Sequence, residues 1–154
     1  MSDQISKSGK LSENLPGTWK LVSREDRTHQ GELRVDPALG ADPVAILSYD
    51  RGGYFAAQFM KRERNPDAEV VLAKAGPNNS RTIGGYDAYF GRYSVNDADG
   101  TVTQQLEGAL SPESVGQVLT RAMTVTGDEL TIQLETESVT GEAVIRTLKW
   151  KRVA

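Results

Sequence analysis

The chain has no cysteine and one histidine, His29, in 154 residues. The first absence removes disulfides, thiolate nucleophiles and thiolate metal sites together, and the second removes a multi-histidine metal cluster, so no metal is expected. Neither sign of charge is in excess: 18 basic and 21 acidic residues give a net charge of -3 and a pI near 5.2. No electrostatic footprint for nucleic acid is visible. No run approaches the roughly 18 apolar residues of a membrane helix, and the opening MSDQISKSGKLSEN lacks the apolar centre of a signal peptide. The expectation is a soluble, cytoplasmic protein without a membrane partner. Also missing are the G-x-S-x-G elbow, the Walker A loop, the dinucleotide fingerprint and the paired-histidine helix motif, which leaves hydrolase, kinase and dehydrogenase readings unsupported and predicts no cofactor.

What is present is a repeated strand pattern. Residues 43–59, PVAILSYDRGGYFAAQF, are two short apolar-aromatic runs joined by Asp50-Arg51-Gly52-Gly53. Glycine reaches positive φ without a Cβ clash, so this reads as a β-hairpin. Its second strand is apolar on both faces, with Tyr54, Ala56 and Met60 on one and Phe55, Ala57 and Phe59 on the other. A strand with one wet face alternates more cleanly, so the hairpin predicts a wrapped sheet with one face inward and the other covered.

Residues 1–14 are small, polar and aperiodic, and read as a disordered leader before a single domain over 15–154. A first strand begins at Thr18, with Trp19, Leu21, Ser23 and Glu25 on one face and Lys20, Val22 and Arg24 on the other. A long loop follows, with a short strand at 32–35. Asn65-Pro66-Asp67 supplies a cap, a first-turn proline and an acid, predicting a helix over 66–75 that Gly76-Pro77 stops. Ser111-Pro112-Glu113 repeats that signature for a single turn ending at Gly116. Strands return at 89–95, 101–107, 117–125, 129–137 and 144–152. About eight strands with short polar turns and one or two short helices predict an all-β antiparallel sandwich or barrel.

Several stretches carry a resemblance. LPGTWKLVSRE, DPVAILSYDRGGYFAAQFM, YFGRYSV followed by GTVTQQLEGALSP, GQVLTRAMTVTGDELTI and the closing RTLKWKR together resemble the bacterial and fungal lipocalin-like domain family, over nearly the whole of 15–153. The resemblance implies a single up-and-down antiparallel β-barrel with an internal cavity for a small, largely apolar molecule. Some such barrels serve as cyclases or isomerases in secondary metabolism. Many relatives carry a histidine pair after the threonine of the fifth strand. This chain has Gln104-Gln105 there, so an imidazole acid-base role at that position is absent.

Strand parity then supplies candidate site residues. Arg121 shares a face with Leu119, Met123 and Val125, and Arg146 with Val144, Leu148 and Trp150, which puts both arginines inside a barrel. A guanidinium in an apolar cavity needs a counter-charge. Glu25 or Glu107 could supply it as a buried ion pair, or a ligand carboxylate or enolate could be gripped bidentately. Tyr89 and Tyr93 share a face with Gly91, which leaves room for a ligand or for close backbone approach. Tyr54 and Gln58 on the hairpin complete the candidate lining. The expected ligand set is therefore Tyr54, Gln58, Tyr89, Tyr93, Arg121, Met123, Arg146 and Leu148.

The first function expected is binding of a small hydrophobic molecule with a polar or anionic end, by a monomer or homodimer. The alternative is a cofactor-free cyclase, isomerase or dehydratase acting on a polyketide- or terpenoid-like intermediate, with Tyr89, Tyr93 and Glu107 as its catalytic groups. That role needs Glu107 to point inward; its strand face could equally be a solvated exterior. His29 reads as a solvated loop residue, or as an acid-base group at the mouth. Trp19 reads as a plug for the barrel base.

Overall fold

The computed structural model describes residues 9–66, 78–138 and 140–154. Its strands are β1 (Gly17–Thr28), β2 (Leu33–Arg34), β3 (Val44–Tyr49), β4 (Tyr54–Met60), β5 (Tyr86–Asn96), β6 (Thr101–Ala109), β7 (Val118–Thr126), β8 (Glu129–Glu137) and β9 (Ala143–Arg152). All pair antiparallel in the order β2-β1-β3-β4-β5-β6-β7-β8-β9, and β1 also pairs with β9, closing an eight-stranded barrel with β2 as an extra strand. Closure depends on the length of β1. Residues 17–20 pair with β3 and Asp26-Arg27 with β2, while the opposite edge runs along β9 from Trp19↔Arg152 to Thr28↔Val144. A closed barrel leaves no long unpaired edge.

The hairpin forms as its glycines require. Gly53 takes φ 92°, and the Asp50 carboxylate accepts from the Tyr54 amide at 2.9 Å. Phe55, Ala57 and Phe59 point into the barrel, buried, while Tyr54 is 45 % exposed and Gln58 lies on the same outer face. The outer face is covered by long side chains rather than by a second layer: Arg92 lies over the Tyr54 ring at 4.9 Å, and the Tyr86 hydroxyl bonds Gln58. Arginine stems shield an aromatic without burying their own charge.

Within the expected leader, Leu11–Asn14 form a short helix, α1. Leu11 and Leu15 are one helical turn apart and both buried, which removes them from water at about 1.5–3 kcal/mol each. They cap the barrel end beside Trp19, whose indole N–H donates to the Leu15 carbonyl at 3.0 Å while Arg152 stacks over its ring at 4.3 Å. Trp19 is thus the plug expected of it. The turn at residues 111–116 contains a 3-10 segment, Pro112–Ser114. The helix expected over 66–75 lies, after Pro66, outside the described residues.

Two bulges reset strand parity. In β1 the pairing with β9 skips between Leu21 and Ser23, leaving Val22 as the extra residue, 62 % exposed. Beyond it Arg24, Asp26 and Thr28 face inward and Glu25 does not. In β6 the pairing steps from Phe90↔Gly108 to Gly91↔Leu106, so Glu107 is the extra residue and stays on the outside. An inserted residue moves every later side chain to the opposite face.

Candidate functional site

A partly open cavity of about 60 Å³ lies inside the barrel, at the end opposite the α1 plug. One wall is apolar, built from Leu47, Phe59, Ile132, Leu134, Leu148 and Trp150. The other carries charge: Arg24, Asp36, Asp87, Arg121 and Arg146, with Tyr89 and Gln104 beside them. Alternation explains this lining, since Tyr89 and Asp87 occupy inward positions two apart on β5, as do Arg146 and Leu148 on β9. Asp36 and Asn79, both half-buried, mark its mouth between the β2–β3 connection and the segment before β5. The volume suits roughly four waters or a small head group.

Three of these charges, Arg24, Asp36 and Arg146, form a neutral network with Asp26 behind them. Arg146 grips Asp26 bidentately, Nε to Oδ1 at 2.8 Å and Nη2 to Oδ2 at 3.0 Å, and lies 3.6 Å from Asp36. Arg24 reaches Asp36 at 2.9 Å. Asp26 is 3 % exposed, so the pairing is what makes burial tolerable. Burial alone would raise the Asp36 carboxyl, but Arg24, the Ala38 amide and Arg146 outweigh it and hold the group below its ordinary value. Arg146 therefore meets a protein carboxylate, as the ion-pair expectation required, but the partner is Asp26 with Asp36 and neither Glu25 nor Glu107. The β1 bulge is the cause.

Arg121 is different. It is 5 % exposed, and burial pushes its pKa down. Its Nη1 donates to the carbonyls of Asn78 at 2.8 Å and Thr120 at 3.2 Å, and no described carboxylate makes an ion pair with it. Asn78 is itself clamped to β7 by two bonds of 2.9 Å with Thr120, its amide donating to the carbonyl and its Oδ1 accepting from the N–H. Facing Arg121 across the cavity is Asp87, 6 % exposed, bonded to the Ser80 hydroxyl. Burial pushes its carboxyl up to about 6, against the pull of Ser80, the Ala88 amide and the two arginines 24 and 121. Burial also lifts the Tyr89 phenol to about 12, while Arg121 pulls the other way. In the cavity wall Gln104 Nε2 donates to the Tyr49 hydroxyl at 2.5 Å. Gln104 Oε1 and Trp150 Nε1 are buried without a hydrogen-bond partner among the described residues.

Of the residues expected from sequence, the barrel brings Tyr89, Arg121, Arg146 and Leu148 to the cavity. Met123 and Tyr93 face the core nearer the plug: Met123 accepts from the Tyr49 hydroxyl at 4.0 Å, and the Tyr93 hydroxyl donates to the Asp50 carbonyl at 2.6 Å. Tyr54 and Gln58 are outside, because the buried face of β4 is the one bearing the two phenylalanines. Glu107 is outside as well, 3.4 Å from Arg92, and is no candidate base for the cavity. Gly91 serves close backbone approach, since a Cβ there would collide with the Gln105 carbonyl and lie 2.8 Å from the Glu107 nitrogen. His29 is half exposed, 3.7 Å from Glu135, and does not line the cavity. Asp87 is a further inward residue, placed there by the same alternation that places Tyr89. Among the described residues no three histidine, aspartate or glutamate side chains converge as metal ligands would.

A closed eight-stranded barrel with a lined internal cavity agrees with the comparison to known families: residues 16–153 match the model of the lipocalin-like domain. The chain belongs to the lipocalin-like domain family. No curated protein matches it. For this lipocalin-like barrel, membership favours small-molecule binding in general and leaves the ligand to be argued from the cavity.

Proposed function

We propose that this lipocalin-like protein binds a small molecule with an apolar body and an anionic end, the end seated on Arg121 and the body against Phe59, Leu148 and Trp150. The observation that carries the reading is a mismatch of charge. Three arginines line the cavity; two are matched by Asp26 and Asp36, and the third has no described carboxylate in contact. A buried guanidinium without a carboxylate partner favours a carboxylate or a similar planar anion. At about 60 Å³ the cavity takes a small ligand of this kind.

Native mass spectrometry of freshly purified protein tests this directly. A retained small molecule is expected in the wild type and lost in Arg121→Met, which keeps most of the side-chain stem and removes its charge. Losing charged hydrogen bonds of about 1.5–3 kcal/mol weakens binding roughly 10- to 100-fold. Retention at full occupancy in Arg121→Met would refute the clamp.

One observation favours the enzymatic alternative: Asp87, with a carboxyl near 6, is poised for proton transfer beside Arg121 and Tyr89. In that reading the acid-base group is Asp87 and the outward Glu107 has no part. Deuterium incorporation from D2O into the retained molecule, abolished in Asp87→Asn, is its test.

A further inference from the structure

Two buried ionisable side chains of opposite charge share the cavity without forming an ion pair. Arg121 from β7 spends one nitrogen on backbone carbonyls and also bonds the Tyr89 hydroxyl, with no described carboxylate in contact. Asp87 from β5 has the Ser80 hydroxyl from the segment before β5 and the Ala88 amide. Around Asp87, Arg24 of β1 and Arg121 of β7 draw on its charge, and Tyr89 stands beside it on β5. Arg146 of β9 and Asp36 of the β2–β3 connection line the same chamber. Arg24, Arg146, Asp26 and Asp36 already neutralise one another. Asp87 is thus the described acid left over to balance Arg121.

An arriving carboxylate changes that balance. Two carboxylates and one guanidinium that no described carboxylate pairs would then occupy a chamber of about 60 Å³. Like charges that close in a low-dielectric site do not both stay ionised, and one takes a proton. Resting on the anion-binding reading above, we infer that the cavity takes up a monocarboxylate together with one proton from solvent, the proton landing on Asp87. Protonated Asp87 becomes an O–H donor to the ligand carboxylate, which also accepts from Arg121. A dianion such as phosphate brings a second charge that neither group neutralises, so the site discriminates in favour of monoanions. The carboxyl value near 6 places the switch close to neutral pH. The ligand loads as pH falls through that range and leaves as it rises.

Trifluoroacetate is a suitable probe: it is small, stays ionised from pH 5 to 8 and reports by fluorine NMR. If binding requires protonated Asp87, affinity falls about tenfold from pH 5 to 7 and about tenfold again by pH 8, and calorimetry in two buffers of different ionisation enthalpy gives about 0.9 proton taken up per anion at pH 7. Asp87→Asn should bind with no such dependence and no proton uptake. Ser80→Ala, which keeps the acid but removes a bond favouring its ionised form, should keep the dependence and move its midpoint to higher pH. Wild-type binding that is flat across this range, or that falls in parallel with Asp87→Asn, overturns the proton coupling and leaves the anion site standing. No binding at pH 5 overturns the anion site, and the coupling with it.

Discussion

Replacing Arg146 by methionine should destabilise the barrel by about 3 kcal/mol, at the lower end of the roughly 3–5 kcal/mol for breaking a buried ion pair. The substitution keeps most of the stem that packs in the cavity wall and deletes the fork that holds Asp26 at 2.8 and 3.0 Å. Asp26, 3 % exposed, is left as a buried carboxylate without its counter-charge. Two features hold the loss to the lower end: Asp36 keeps Arg24 at 2.9 Å, and Arg24 is freed of the repulsion of Arg146. For a chain of this size the loss lowers Tm by roughly 6–12 °C. The informative comparison is the double variant Asp26→Leu/Arg146→Met, which removes both charges and fills the space with carbon. It should return to within about 1 kcal/mol of wild type, because an apolar pair replaces a buried ion pair at little net cost. Urea unfolding followed by the fluorescence of Trp19 and Trp150, both buried, gives all four corners of the cycle. A single variant losing less than about 1 kcal/mol, or a double variant no more stable than Asp26→Leu alone, would refute the account of these charges.

Asp87 makes a prediction in the opposite direction. Its folded-state value, about 6, lies above the ordinary 3.8, so its contribution is fully present below pH 3.8 and lost as pH rises through 6. That interval corresponds to about 3 kcal/mol. Asp87→Asn should therefore be more stable than wild type at pH 8 by up to that amount and nearly equal to it near pH 4; unfolding curves that stay parallel at both pH values would rule this out. Gly91→Ala should lose several kcal/mol, since its Cβ would meet the backbone of the β6 bulge and backbone cannot rotate away. Thermal melts check it, and a change of less than 1 kcal/mol would show that the bulge is free to relax.

Alternation made most of the barrel legible. β3, β4 and β8 begin and end where the apolar period and the turn residues place them, because a strand with one buried face writes its period into the chain. Bulges leave no such mark. Val22 is an ordinary β-branched residue in an alternating run, yet it is the unpaired one, and it turns Arg24 and Asp26 inward in place of Ser23 and Glu25. The partner of Arg146 was hidden for that reason alone. The hairpin failed differently: with Phe55, Ala57 and Phe59 on one face of β4 and Tyr54, Ala56 and Met60 on the other, apolar content could not choose between them. Tertiary ring contacts did, Phe59 with Trp150 at 5.8 Å and Phe55 with Tyr89 at 6.0 Å. Short polar sequence likewise conceals α1, which is ordered only because Leu11 and Leu15 find the barrel end.

The Asp26–Arg146 pair also has a place in time. It lies on the β1–β9 seam and joins residues 120 positions apart, whereas the other barrel pairings, apart from β1–β3, join neighbouring segments. On a ribosome, β1 must wait for nearly all the other strands to be synthesised before its partner exists, and until then Arg24 and Asp26 remain hydrated on an open sheet. Closing the seam is therefore both the strand pairing of highest sequence separation and the step that dehydrates four charges, which makes it the slow, late event of folding.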